Sequence, residues 1–307
     1  MSRRDRKGNV PHDNNRASLF TVRESMPLLD LVMKLLDGIS RNKAKSLLSH
    51  GAVSVDGRVA THVDFVVSEG STVLISRGKP SAADSSPHYN IVYEDRWLIV
   101  VDKAEGVLSM PVGAHSLNMK SLLDRYLAAK GSRCTAHVVH RLDCRTSGLM
   151  MYAKSTPIQQ QMQDNWHERV FDRRYVAVVE GVPVDDEGVV ESYLRDTRSM
   201  TVVSTREQVP GSRFASTSWR VLERGEHRAL VELRLATGRK NQIRVHMAEI
   251  GHPVVGDGKY GTQDDPGSRL CLHACVLAFT HPVTGEQMSF DTPIPAHFYR
   301  SLSHRND

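Results

Sequence analysis

Residues 136–154 constrain the fold more than any other stretch. Positions 136–139, apart from His137, and 149–153 are mainly apolar, and the charged and small residues between them end in Thr146-Ser147-Gly148. That pattern predicts strand, polar turn, strand, with Gly148 permitting a tight backbone where the chain turns. Asp143 stands in the turn, flanked by Arg141 and Arg145. A carboxylate between cations stays ionised and can act as nucleophile or base. On this stretch alone, a turn aspartate paired with a neighbouring arginine is the plainer reading.

Two further stretches add to it. Arg173-Arg174-Tyr175-Val176-Ala177 opens an apolar run that predicts a strand. Residues 236–246 read Ala-Thr-Gly-Arg-Lys-Asn-Gln-Ile-Arg-Val-His, and Ile243, Met247 and Ile250 have helical spacing up to Gly251. A helix N-terminus carrying Arg239 and Lys240 is a natural anion site.

The run His140-Arg141-Leu142-Asp143, followed by Thr146-Ser147-Gly148-Leu149, resembles the signature of the RluA-type family of RNA pseudouridine synthases. The basic–x–Tyr–x–Ala pattern at 173–177 resembles that family's second motif. The segment from Ala236 through Gly256-Asp257-Gly258 to Tyr260-Gly261 resembles its third. The resemblance implies that Asp143 is the catalytic aspartate and Tyr175 the active-site tyrosine, whose ring can stack on a flipped base. It also implies that Arg244 pairs with the catalytic aspartate. Arg141 is then placed to fill the gap left by the flipped uridine, with Arg239, Lys240 and Asn241 on the substrate. Two positions depart from the pattern: Ala104 stands where proline is usual, and Asn241 where histidine is usual.

The charge distribution marks a second module. Residues 1–79 hold 13 Lys and Arg against 8 Asp and Glu, while 80–307 hold 27 of each. All of the net +5 is therefore N-terminal, which points to a polyanion-binding attachment. Residues 1–17 read as a disordered basic arm. In 18–79, two short helices precede a small sheet. The first spans the leucines of 28–36 and stops at Gly38; the second runs from Arg41 to His50 with Ser40 as its cap. Extended segments follow at 52–55, 58–61, 63–67 and 72–76, with an Asp56-Gly57 turn. This order is similar to the ribosomal protein S-four-type RNA-binding domain, and Arg41, Lys43 and Lys45 are its candidate phosphate contacts. Residues 80–89 read as a linker, and 90–307 as the catalytic domain.

The expected fold is thus α+β: a helix-helix-sheet RNA-binding domain, then a mixed, mainly antiparallel sheet with peripheral helices. No apolar run approaches the ~20 residues of a bilayer span. Four scattered cysteines fit reduced thiols in the cytoplasm better than a disulfide framework. Cys134, His137, His140 and Cys144, and likewise Cys271, His273 and Cys275, lack the Cys-x-x-Cys spacing of common zinc sites.

The resemblance implies an enzyme that isomerises uridine to pseudouridine in structured RNA, acting as a monomer without metal or cofactor. Large-subunit ribosomal RNA is the expected target, and transfer RNA the alternative. Two other readings compete. A non-catalytic RNA-binding or assembly factor would leave the three motifs idle. An RNA glycosidase would need a second carboxylate beside Asp143.

Overall fold

The structure, a computed structural model, describes residues 17–36, 38–49, 52–55, 58–60, 63, 65–76, 85–113, 116–199, 201–261 and 269–303. The chain divides into two compact units, Met1–Ala82 and Ala83–Asp307.

In the first unit, β1 (Ala17–Thr21), β2 (Met26–Pro27), α1 (Leu28–Leu35) and α2 (Arg41–Ser49) precede β3 (Val53–Val55), β4 (Arg58–Val59), β5 (Val66–Val67) and β6 (Thr72–Ser76). The antiparallel order is β1-β6-β3-β4, and β2 pairs separately with β5. Ser40 caps α2, its Oγ accepting the Lys43 N–H at 3.3 Å. Leu28, Val32, Ala44 and Leu48 are fully buried under the sheet residues Val53, Val73 and Ile75. The opposite side of α2 leaves Arg41, Lys43 and Lys45 exposed.

The second unit opens with the short hairpin β7 (Ser85–Ser86) and β8 (Tyr89–Glu94), then β9 (Leu98–Lys103) and α3 (Met119–Ala129). Asn118 caps α3, its Oδ1 accepting the Ser121 N–H at 2.9 Å. Next come β10 (His137–Val138), β11 (Ser147–Ala153), α4 (Thr156–Asp164), α5 (Trp166–Arg169) and β12 (Val170–Glu180). The chain continues through β13 (Glu187–Asp196), β14 (Val202–Thr205), β15 (Arg213–Arg224), β16 (Arg228–Leu235) and α6 (Gln242–Glu249). It finishes with β17 (Leu272–Thr280), β18 (Gln287–Asp291) and α7 (Ala296–Ser303). Strands β18-β17-β12-β16-β15-β13-β14 pair antiparallel in that order. The β8-β9-β11 set joins them where β11 meets β17 in parallel, through Ser147↔His273 and Gly148↔Ala274. One core of strand residues and of α3 and α6 residues, among them Leu123, Met150, Tyr152, Val231 and Met247, lies beneath.

The predicted architecture is the observed one, with local differences. Ala17 belongs to a strand, not to the basic arm. The hairpin at Ser85–Ser86 and the buried Tyr89 lie within the span read as linker; their polar sequence hides a pairing that only β8 supplies. The helix expected over 156–167 breaks at Asn165 into α4 and α5. Residues 1–16, the Asp56-Gly57 turn and the tip at His50-Gly51 lie outside the described residues.

Candidate active site

The turn carrying Asp143 is fixed on both flanks. On one side, Ser109 Oγ donates to the Leu142 carbonyl at 2.6 Å and accepts the Leu142 N–H at 3.1 Å. On the other, the fully buried Lys103 extends its ammonium to the carbonyls of Ala104, Val107 and Cys144 at 3.0, 2.9 and 3.2 Å. The Thr146 N–H closes the turn on the Asp143 carbonyl at 3.1 Å. Downstream, Gly148 adopts φ 113°, and a Cβ there would stand 2.3 Å from the Ala274 oxygen. Only glycine allows β11 to run this close to β17. Upstream, half-buried His140 accepts the Met151 N–H through Nε2 at 3.0 Å. Burial, helped by the Arg173 charge, holds its ring near a pKa of about 3, so it is neutral.

Above this turn lies a cavity of about 780 Å³, lined by Arg141, Asp143, Tyr175, Arg239, Lys240, Asn241 and Arg244 among others. The structure therefore brings together the candidate residues from all three motifs. Among the described residues, the Asp143 carboxylate has no hydrogen-bond or ion-pair partner. Arg145, its neighbour in sequence, turns instead to Glu105 at 3.6 Å. Burial raises the Asp143 pKa, and the charges of Arg244, Arg141, Lys103 and Lys240 pull it back only in part. The flanking cations expected to keep it ionised are therefore opposed by desolvation, which is the larger effect. Tyr175 is 8% exposed, and burial raises its hydroxyl.

The third motif forms the facing wall. Asn241 precedes α6 with φ 54°, a left-handed conformation that asparagine tolerates. Its Nδ2 donates to Tyr260 Oη at 3.0 Å, and its Oδ1 accepts from Arg244 Nη1 at 3.1 Å. The pairing expected between Arg244 and Asp143 is not made. Arg244 grips Asp257 instead, Nε to Oδ2 and Nη2 to Oδ1, each at 2.6 Å. The Gly256-Asp257-Gly258 turn prepares that carboxylate, since Asp257 Oδ1 also accepts the N–H groups of Lys259 and Tyr260. Burial raises the Asp257 pKa, but Arg244 and these N–H groups outweigh it, so the carboxyl sits below the ordinary range. Arg244 thus reaches Asp143 through its field and not through a bond.

The remaining candidates divide. Lys240 is tied to Asp196 at 2.6 Å, and Arg239 donates from Nε to the Phe214 carbonyl at 3.0 Å. Arg141 is exposed at the cavity. Sequence reasoning missed Lys103, Ser109 and Asp257 as supports. A lysine ending the apolar run 98–103 was the available signal for the first. Several of the histidines and cysteines considered for metal have other partners: His273 bonds Ser147 Oγ and Thr292 Oγ1 at 2.8 and 2.9 Å, and Cys275 donates to the Arg174 carbonyl.

A mixed sheet that presents an unpaired aspartate beneath a basic cleft, beside a buried tyrosine, suits an enzyme acting on a polyanion. Residues 97–249 match the family described as RNA pseudouridylate synthase, and residues 26–73 match the S4 domain. The chain is 36% identical to ribosomal large subunit pseudouridine synthase D of Neisseria meningitidis, over 90% of this chain and 78% of that protein. It is 35% identical to the RNA pseudouridine synthase YlyB of Bacillus subtilis, over 83% and 86%. Among solved structures, human RNA pseudouridylate synthase domain containing 1 superposes with a TM-score of 0.57 at 27% identity, over 70% of this chain and 86% of that one. The chain belongs to the RNA pseudouridine synthase family and carries an N-terminal S4 domain.

Proposed function

We propose that this enzyme isomerises specific uridines of structured large-subunit ribosomal RNA, with Asp143 as the catalytic carboxylate. The observation that carries the reading is the Asp143 side chain itself. It is held by its backbone neighbours, left without a partner among the described residues and set among cations in the cleft. The name of the Neisseria relative supports the ribosomal target.

In this reading the uridine leaves its stack, Arg141 occupies the gap, and the Tyr175 ring receives the base. Asp143 either attacks the ribose C1′ or removes the neighbouring ribose proton as the bond to N1 breaks. The uracil carries the bonding electrons away, rotates, and forms a new bond from C5 to C1′ as the Asp143 carboxylate leaves C1′ or, in the second route, returns the proton to the ribose. The proton on C5 is then lost to solvent and N1 is protonated, so mass is unchanged. Arg244, oriented by Asp257 and partly offset by its carboxylate, still exerts its guanidinium's field on the site while the anion exists. The exposed Arg41, Lys43 and Lys45 of the S4 domain contact phosphates. The enzyme acts as a monomer in the cytoplasm.

The C5 proton supplies the test. Large-subunit ribosomal RNA transcribed with 5-tritiated uridine should release tritium with this enzyme, and chemical mapping should place pseudouridine at the same nucleotide. RNA from cells lacking the gene should lack that nucleotide's modification. Release of free uracil would indicate a glycosidase; tight binding without release would indicate a binding factor.

A further inference from the structure

One arginine in the cleft has no substrate role in the account above. Arg173 lines the same cavity as Asp143, next to Arg174, yet the two are held quite differently. Arg174 is neutralised by Asp172 at 2.6 Å and by Glu232 at 3.7 Å. Arg173 has no carboxylate partner among the described residues. Its guanidinium is nevertheless fixed. Nη2 donates to the Leu235 carbonyl at 3.2 Å, and the group lies over the Trp166 ring, 5.4 Å from the centroid. Nη1 lies against the backbone of Gly238, where a Cβ would approach it to 3.3 Å.

Trp166 is itself set by the catalytic turn. Its ring packs on His140 with centroids 5.0 Å apart and planes tilted by 39°. The indole thus stands between the first motif, through His140, and the second, through Arg173. Arg173 in turn reaches the loop that opens the third. A guanidinium oriented by a ring and one carbonyl, but left with its charge unneutralised, is prepared for an external anion. In a cleft that takes RNA, that anion is a backbone phosphate.

We infer that Arg173 binds a phosphodiester flanking the target uridine, and that Trp166 is the positioning residue that orients its guanidinium. This rests on the proposed RNA substrate of the cleft. The contact anchors the strand as the base swings toward Asp143. It touches no reacting atom, so it acts on RNA affinity and on KM.

The test uses the full chain and transcribed large-subunit ribosomal RNA, with binding measured from low to moderate salt. Arg173→Gln should weaken binding and reduce the slope of log K against log salt by about one, the signature of one lost phosphate contact. In tritium release it should raise KM with kcat nearly unchanged. Arg173→Lys keeps the charge but not the held fork, so the slope should persist while KM rises several-fold. Trp166→Leu should behave like Arg173→Lys, and Trp166→Phe should restore wild-type values. A folded Arg173→Gln with wild-type slope and KM overturns the inference, as does a loss confined to kcat. If Arg173→Gln does not fold, an unchanged KM in Arg173→Lys overturns the inference. Wild-type enzyme that binds the RNA but releases no tritium defeats the isomerase assignment, and the salt slopes still decide the role of Arg173.

Discussion

Arg244 and Asp257 meet fork to fork, 13 residues apart in the chain, with both N–O distances at 2.6 Å. The pair is buried, at 8% and 0% side-chain exposure. Removing one partner of such a pair leaves a buried charge unmatched, at a cost of about 3–5 kcal/mol. Asp257→Asn should therefore destabilise the second unit and lower kcat, although Asp257 touches no substrate. Arg244→Lys loses the planar fork and should lose about a hundredfold in kcat through misplacement. The double variant should be little worse than either single one. Thermal denaturation and single-turnover tritium release check this; additive losses would show that the two residues act independently.

Asp143→Asn removes the carboxylate and keeps the shape. The turn is held by Leu142, Cys144 and Thr146 and not by the Asp143 side chain, so the fold should survive. Isomerisation should vanish while RNA affinity stays within a few-fold of wild type. Wild-type turnover by this variant would end the assignment of Asp143.

The pH profile of kcat/KM should be bell-shaped, with each limb set by a buried group. Burial raises the Asp143 carboxyl above the ordinary value of 3.8. Activity that needs the carboxylate is full above that raised pKa and falls as pH drops through it. The same shift means that the folded chain binds this proton more tightly than the unfolded one, so this group favours folding more as pH falls. Removing a nearby cation with Arg141→Gln should move the acid limb to higher pH. Burial lowers Lys103 to about 8, against the pull of Cys144, Asp143, Glu105 and Asp102. Above that pH its amine has fewer protons than it has carbonyls to hold, and the alkaline limb should appear there. An alkaline limb unmoved in Lys103→Met would assign it elsewhere.

Tyr175→Phe should retain more activity than Tyr175→Leu if the ring stacks on the base, since such stacking contributes roughly 1–3 kcal/mol. The Tyr175 hydroxyl has no hydrogen-bond partner among the described residues, which fits a ring that serves by its face. Equal loss in both variants, measured as kcat/KM, would give the hydroxyl a chemical role.

Much of this architecture was legible in the sequence, and the exceptions share a cause. The strands around Asp143 and the two helices of the S4 domain announce themselves by apolar period and caps. Strands β13 and β15 do not, because part of their inward face is polar. Ser192 and Thr217 are buried against His246, which bonds both at 3.1 and 2.8 Å, and Gln242 donates to Thr217 as well. A satisfied buried network looks like surface to any reading based on hydrophobic alternation. The partner of Arg244 was hidden for a different reason. Two carboxylates compete for one guanidinium, and only the backbone N–H groups that prepare Asp257 decide between them. Lys103 reads in sequence as the polar end of a strand, whereas its three carbonyl partners lie up to 41 residues along the chain from it.

Lys103 gives the active-site turn the chemistry of an ionophore that carries its own ion. Three inward carbonyls solvate a cation, as a crown solvates potassium, but here the cation is covalently part of the chain and cannot exchange with the medium. Ions in solution compete with the lysines and arginines that grip RNA, and they have no access to this sealed charge. Salt should therefore loosen the enzyme's hold on its substrate without slackening the turn that presents Asp143. Turnover at saturating RNA then becomes a quantity that ionic strength leaves alone, and salt becomes a means of separating grip from chemistry in this enzyme.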